Sequence, residues 1–318
     1  MKIFSKESHD TLIIENISEE FTKILESSFD TISTINSYMI ESSTIINESG
    51  FSDTVKLLFD SVIRFIKKIY HQFIGIFMKQ SEYVNYILDR YSESIKNLTD
   101  QDLKDIKYEY KEFNFPKNIP VFGHFKSVQK LIDGLSGLKI GIMDLNYFKY
   151  SYEESLDLLR GEVLGIKNTK ISEQDFVGRL KKIFRGSDEI FVKKLTKEGL
   201  DNMIKGIMDY KDVKKMIETD KDNILKEYER YSKIVSEVIN IKYSTDSFGA
   251  ILSTSSGKQI STDILTVNIY KDYQSLTASF LAQILEMYSI VYREKLSALK
   301  DKYDMEIELL KKIIRLVM

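Results

Sequence analysis

The stretch STSSGKQ at 253–259 is the closest this chain comes to a nucleotide-binding loop. A Walker-type phosphate cradle needs glycine where Leu252 stands, so that backbone N–H groups can wrap the phosphates, and a Ser or Thr hydroxyl for magnesium where Gln259 stands. Neither is present, and the stretch reads as a loop. His9, His71 and His124 lie in separate segments with no His or Glu at metal-ligand spacing, so each is expected at the surface or in a structural role. Asp220 and Asp222 in ETDKDN open like a calcium loop, but the glycine and the closing glutamate are missing. There is no nucleophile elbow, dinucleotide fingerprint or kinase signature, and carboxylates are too frequent on the helices to single out an acid–base pair. The expectation is a non-enzyme with no catalytic, metal-binding or cofactor-binding residues.

Composition narrows the partners. The 318 residues are 43% hydrophobic and 30% charged, enough for a substantial core in two or so domain-sized units. The balance of 46 Lys and Arg against 48 Asp and Glu lacks the one-sign excess of a nucleic-acid condenser, and no specific nucleic-acid partner is expected. With no cysteine, disulfides, thiolate metal sites and cysteine nucleophiles are excluded, which fits an intracellular or intravirion setting. The opening MKIFSKESHD places Glu7, His9 and Asp10 ahead of any apolar run, the wrong order for a signal peptide.

The segment from Val55 to Met78 has the length of a membrane span. Lys56, Asp60, Arg64, Lys67, Lys68 and His71 interrupt it at nearly every turn, and each charge at bilayer depth costs roughly 2.5–3.5 kcal/mol, so it does not span. Its apolar residues, including Phe65, Ile69, Phe73 and Phe77, follow the 3-and-4 spacing of one helical stripe. A buried bundle helix is the expected outcome, with a membrane or partner face at those four residues as the rival.

The elements that would position these residues are nearly all helical, and the fold class expected is all-α: a multi-helix bundle with a short extended aromatic crossover and a long C-terminal helix. Helix starts are read at Ser18, at Ser52 after Gly50, at Ser81 with Glu82, and at Thr99, whose Asp102 three residues on completes a capping box. These make an N-terminal helical bundle over 1–105. Ile106, Tyr108, Tyr110, Phe113 and Phe115 alternate just ahead of Pro116 and Pro120, so 106–123 reads as a strand or extended crossover. A second helical unit over 124–242 is expected to hold helices at about 124–138, 152–160 behind a Ser151–Glu154 box, 173–185 after Ser172, 197–208 after Thr196, and 211–240. A polar loop over 243–263 precedes the long C-terminal helix over 264–318. There Leu296, Tyr303, Leu310 and Val317 recur every seven residues with Leu299, Ile307 and Ile314 between them, a seam for packing on its own chain or for self-association.

Two stretches, LLRGEVLGIK at 158–167 and ISEQDFVGRLKKIFRGSDE at 171–189, read as helix ends. Gly161 and Gly186 each follow an Arg in a last turn, where a cation complements the helix dipole and glycine accepts a left-handed cap. Phe176, Leu180, Ile183 and Phe184 are expected to be buried. Arg179, Lys181, Lys182 and Arg185 read as a solvated basic face, with partner docking as the rival.

The Arg-Gly-x-Val-Leu-Gly turn of Arg160–Gly165, the Ile-Ser-x-x-Asp-Phe of Ile171–Phe176 and the Phe-Arg-Gly end at Phe184–Gly186 follow the Ile/Phe/Lys-rich helix at 55–79. Together they resemble predicted virion structural proteins of large tailed phages of Gram-positive bacteria. The resemblance covers about residues 40–240 and implies a non-enzymatic component of the phage particle, inside the head or in the tail or neck. By the same resemblance the partners are other virion proteins, and the location is the virion, with the host cytoplasm during assembly. The alternative is a membrane-active helical protein, pore-forming or ejected, that uses residues 55–78.

Overall fold

The computed structural model describes residues 51–115, 145–166, 168–186, 191–208, 210–246, 249–254, 257–262 and 264–317, with isolated helical positions between Glu19 and Thr34. The expected helices at 18–46, those positions apart, and at 124–138 lie outside the described residues. Of the described residues 74% are helical and 11% lie in strands of two small sheets, so the chain is mostly helical and not all-α.

Helix α1 (Phe51–Arg90) runs unbroken for 40 residues. The expected new start at Ser81 does not occur. Gln80 and Ser81 bring no Gly or Pro to stop the helix, and the apolar stripe passes from Phe73 and Phe77 to Val84 and Ile87 on one buried face. Arg64, Lys67, Lys68 and His71 keep to solvent. Two short helices follow, α2 (Ser92–Lys96) and α3 (Asp100–Leu103). The capping box is formed at α3: Thr99 N–H donates to Asp102 Oδ2 at 2.8 Å, and Asp102 N–H returns to Thr99 Oγ1.

Of the expected extended stretch at 106–123, Lys107–Tyr110 forms strand β1, 111–115 follows without regular structure, and 116–123 lies outside the described residues. After helices α4 (Leu145–Val163) and α5 (Glu173–Arg185), strand β2 (Phe191–Lys194) returns antiparallel to it, with Lys107 opposite Lys194 and Tyr110 opposite Phe191. The Ser151–Glu154 box is absent because α4 starts earlier and Ser151 is inside it. Helices α6 (Lys197–Met208) and α7 (Tyr210–Ile239) lie within a residue or so of their expected limits.

The expected polar loop at 243–263 is a three-stranded antiparallel sheet, β3 (Lys242–Asp246), β4 (Gly249–Ser253) and β5 (Gln259–Thr262). Its apolar content is small but alternating: Ala250 and Leu252 are buried on one face of β4, and the sheet packs that strand on the last helix. The described residues of STSSGKQ, 253–254 and 257–259, lie at the facing ends of β4 and β5. Thr254 N–H donates to the Lys258 carbonyl at 2.9 Å and Gly257 N–H to the Thr254 carbonyl at 3.0 Å, with Gly257 at φ 82°, so those N–H groups serve the turn and not a phosphate.

Helix α8 (Ile264–Val317), 54 residues and about 80 Å long at ~1.5 Å per residue, is the spine on which α4, α5 and α7 pack. Leu296, Leu299, Tyr303, Ile307 and Leu310 of its seam are buried against the chain's own elements, Tyr303 lying 5.2 Å from the Phe77 ring. One apolar cluster joins Val84, Ile87, Ile95, Leu103 and Ile106 to Leu195, Leu200, Leu310 and Ile313, so residues on both sides of the crossover share a core.

Candidate functional site

The pieces that carry the resemblance meet in one joint. Gly161 is not a left-handed cap: α4 continues to Val163, and Gly165, at φ 76°, makes the turn. Glycine is required at 161 for a different reason, since a Cβ there would run into the Thr169 carbonyl oxygen as the chain folds back over the helix end. The return is pinned by Ile166 N–H to the Gly161 carbonyl, 2.8 Å, and Ile171 N–H to the Asp157 carbonyl, 3.1 Å. Arg160 spans the turn, 2.7 Å from Asp157 and 3.6 Å from Glu173 at the start of α5.

Ser172 caps α5 by accepting from Asp175 N–H at 3.2 Å, and Phe176, Leu180 and Phe184 are buried, with Ile183 half-buried. Gly186 does carry a positive φ, 64°, and a Cβ there would sit 2.6 Å from the Glu112 carbonyl oxygen. The crossover is held at this end by Asn114 N–H donating to the Phe184 carbonyl at 3.0 Å.

The basic face divides. Arg179, Lys181 and Lys182 are exposed as expected. Arg185 is not part of a solvated face: its guanidinium turns onto α8, donating to Asp301 at 2.7 Å, Glu294 at 3.0 Å and Ser297 Oγ at 2.5 Å. Burial alone would lower its pKa, but the two carboxylates outweigh that and hold it above its ordinary value. Of the four apolar candidates on α1, Phe73 and Phe77 are buried, 0% and 1% exposed, and so are not a surface for membrane or partner. The side chains of Phe65 and Ile69 lie outside the described ones.

Between Glu294 and Ser297 on α8 is a second polar node that sequence reasoning missed. Lys295 donates to Asp220 of α7, and both side chains are 1% exposed. Asp220 is therefore an ion-pair residue of the core, while Asp222 is exposed and lies beside Lys221. Burial raises the Asp220 pKa, and Lys295 offsets only part of it. Around the pair, Tyr70 donates to Glu218 at 2.6 Å, and Lys221 lies 4.1 Å from the Tyr70 ring centre. Buried Tyr292 is held protonated well above the ordinary phenol range, first by burial and then by the Asp220 charge. The signal was present in the sequence: Lys295 occupies the slot between Val291 and Leu299, and Asp220 the slot between Ile217 and Ile224, both on apolar stripes.

A cleft of about 480 Å³ lies between β1, α6 and α8, walled by Tyr108, Tyr110 and Phe113 and floored by Met203, Met305 and Leu309. At its edge Glu306 lies 3.7 Å from Lys302, its pKa raised by burial against the pull of that lysine. Among the described residues no group of His, Asp or Glu is placed to hold a metal, and no helix is long and apolar enough to cross a membrane. His71 is exposed, its ring edge-on to Tyr70 at 5.4 Å; His9 and His124 lie outside the described residues. Fold and joint together define a mostly helical protein whose distinctive side chains lock helices to one long spine. No family model, no curated protein and no solved structure matches the chain.

Proposed function

We propose that this chain is a non-enzymatic structural component of a bacteriophage virion, in the head interior or in the tail or neck, that acts through helix packing and contacts with other virion proteins. The observation that supports it is the joint itself. Gly161, Ile171, Ser172, Phe176, Phe184, Arg185 and Gly186, the residues behind the resemblance, each have a packing, capping or ion-pairing role, as expected of a motif that shapes a scaffold. The exposed Arg179, Lys181 and Lys182 beside that joint are the docking residues in this reading. No observation favours the membrane-active alternative, since Phe73 and Phe77 are committed to the core.

Mass spectrometry of purified particles of the phage that carries this gene should find the chain at a stoichiometric level. A particle preparation that contains its neighbours but not this chain would refute the proposal. Within the reading, Lys181→Ala with Lys182→Ala should leave the fold intact and lower incorporation into particles; unchanged incorporation would remove the docking role from this face.

A further inference from the structure

We infer that β2 is a self-pairing edge, and that two copies of this chain join through it into one four-stranded antiparallel sheet. Among the described residues β2 is an outer strand of a two-stranded sheet, with all four side chains exposed, among them the apolar Phe191 at 44% and Val192 at 65%. Unpaired N–H and C=O groups on such an edge are a template for another strand.

Among the described residues the ladder defines which backbone groups of β2 have no partner strand. Leu195 N–H donates to the Ile106 carbonyl at 3.0 Å, so Ile106 and Leu195 form a hydrogen-bonded pair. Bonded pairs alternate in an antiparallel ladder, so Lys193 and Phe191 also turn their polar groups to β1, and Val192 and Lys194 turn theirs outward. Val192 is thus the apolar one of the two outward-facing residues of β2.

An identical edge fits it with the two-fold axis at Val192. About a two-fold axis through Val192, each Val192 exchanges N–H and C=O with its counterpart, and Phe191 falls opposite Lys193 of the second copy on the same face of the sheet. Lys193 already lies 3.9 Å from the Tyr110 ring centre, so the second Phe191 would give the same ammonium a second aromatic neighbour. An axis through Lys194 would set two lysines directly opposite each other, which is unfavourable. The pairing centred on Val192 therefore matches hydrogen bonds, brings apolar side chains together on the axis and opposes no like charges.

Sedimentation of the full chain should give twice the 37.1 kDa monomer mass at high micromolar concentration. Val192→Pro removes an N–H that the internal ladder does not use, and Val192→Lys places like charges on the axis. Both should sediment as monomers with an unchanged melting temperature. The chain contains no cysteine, so Val192→Cys provides a single thiol that should oxidise to a covalent dimer, whereas Tyr86→Cys on exposed α1 should not. A wild-type chain that stays monomeric, association that continues past the dimer, or a dimer that survives both Val192→Pro and Val192→Lys would overturn the inference.

Discussion

At single positions the joint makes sharp distinctions between neighbours of similar type. Lys181 and Lys182 reach solvent, and replacing both with Ala should change stability by no more than about 0.5 kcal/mol, whereas Arg185→Ala strips three α8 side chains of their donor. Gly186 combines a positive φ with the Glu112 carbonyl at 2.6 Å from the site of a Cβ, so Gly186→Val should cost about 2 kcal/mol or more in denaturant unfolding. A near-neutral Val would mean that the crossover backs away freely. The buried ion pair behaves differently from these. Asp220→Ala leaves Lys295 charged in the core and should cost about 3–5 kcal/mol, while Asp220→Leu with Lys295→Met removes both charges and should cost much less than either single change. Equal losses in single and double variants would show that packing volume, not charge, governs that site.

Among the elements, those with strong local signals were legible and those that depend on partners were not. Ser172, Thr196 and Thr99 marked their helix starts because a side-chain oxygen capping a free N–H is a local event. Ser81 and Ser151 carried the same residue types but sit inside helices, since a cap signal matters only where the apolar stripe also stops. Replacing Ser81 by Pro should cost about 3 kcal/mol if α1 is continuous there, and nothing if a helix begins at that residue; thermal melts decide between them. The three-stranded sheet was hidden because its polar Ser and Thr composition matches a loop and, among the described side chains of its strands, only Ala250 and Leu252 alternate into the core. β2 was hidden for a related reason. FVKK is too short and too exposed to signal a strand, and only the distant β1 makes it one. The basic run could not disclose that Arg185 turns inward, because its partners Glu294 and Asp301 are more than a hundred residues away.

For the whole molecule, α8 sets both cooperativity and response to pH. Phe77 and Tyr303 pack together, and the shared cluster ties Val84 and Ile87 to Ile313, so Phe77→Ala should cost about 3–5 kcal/mol and lower one common transition instead of splitting off the N-terminal helices. Along the same spine two carboxyls have raised pKa values: Glu286 by burial and then by Glu173, and Glu306 by burial against Lys302. Raised carboxyls keep protons in the folded chain that the unfolded chain has released. Their contribution to stability is complete below the unfolded carboxylate pKa and is lost as pH rises through the folded value. On their account the melting temperature should hold or rise as pH falls from neutral to about 5, where many proteins begin to lose stability as paired carboxylates protonate. Glu306→Gln abolishes one of these titrations without creating an unpaired buried charge, because Lys302 is partly exposed, so it should flatten the dependence. Melting curves for the wild type and this variant across that range test the sign directly. A wild-type melting temperature that drops steadily with acid, and drops equally in Glu306→Gln, would show that the spine carboxyls are ionised in the folded chain.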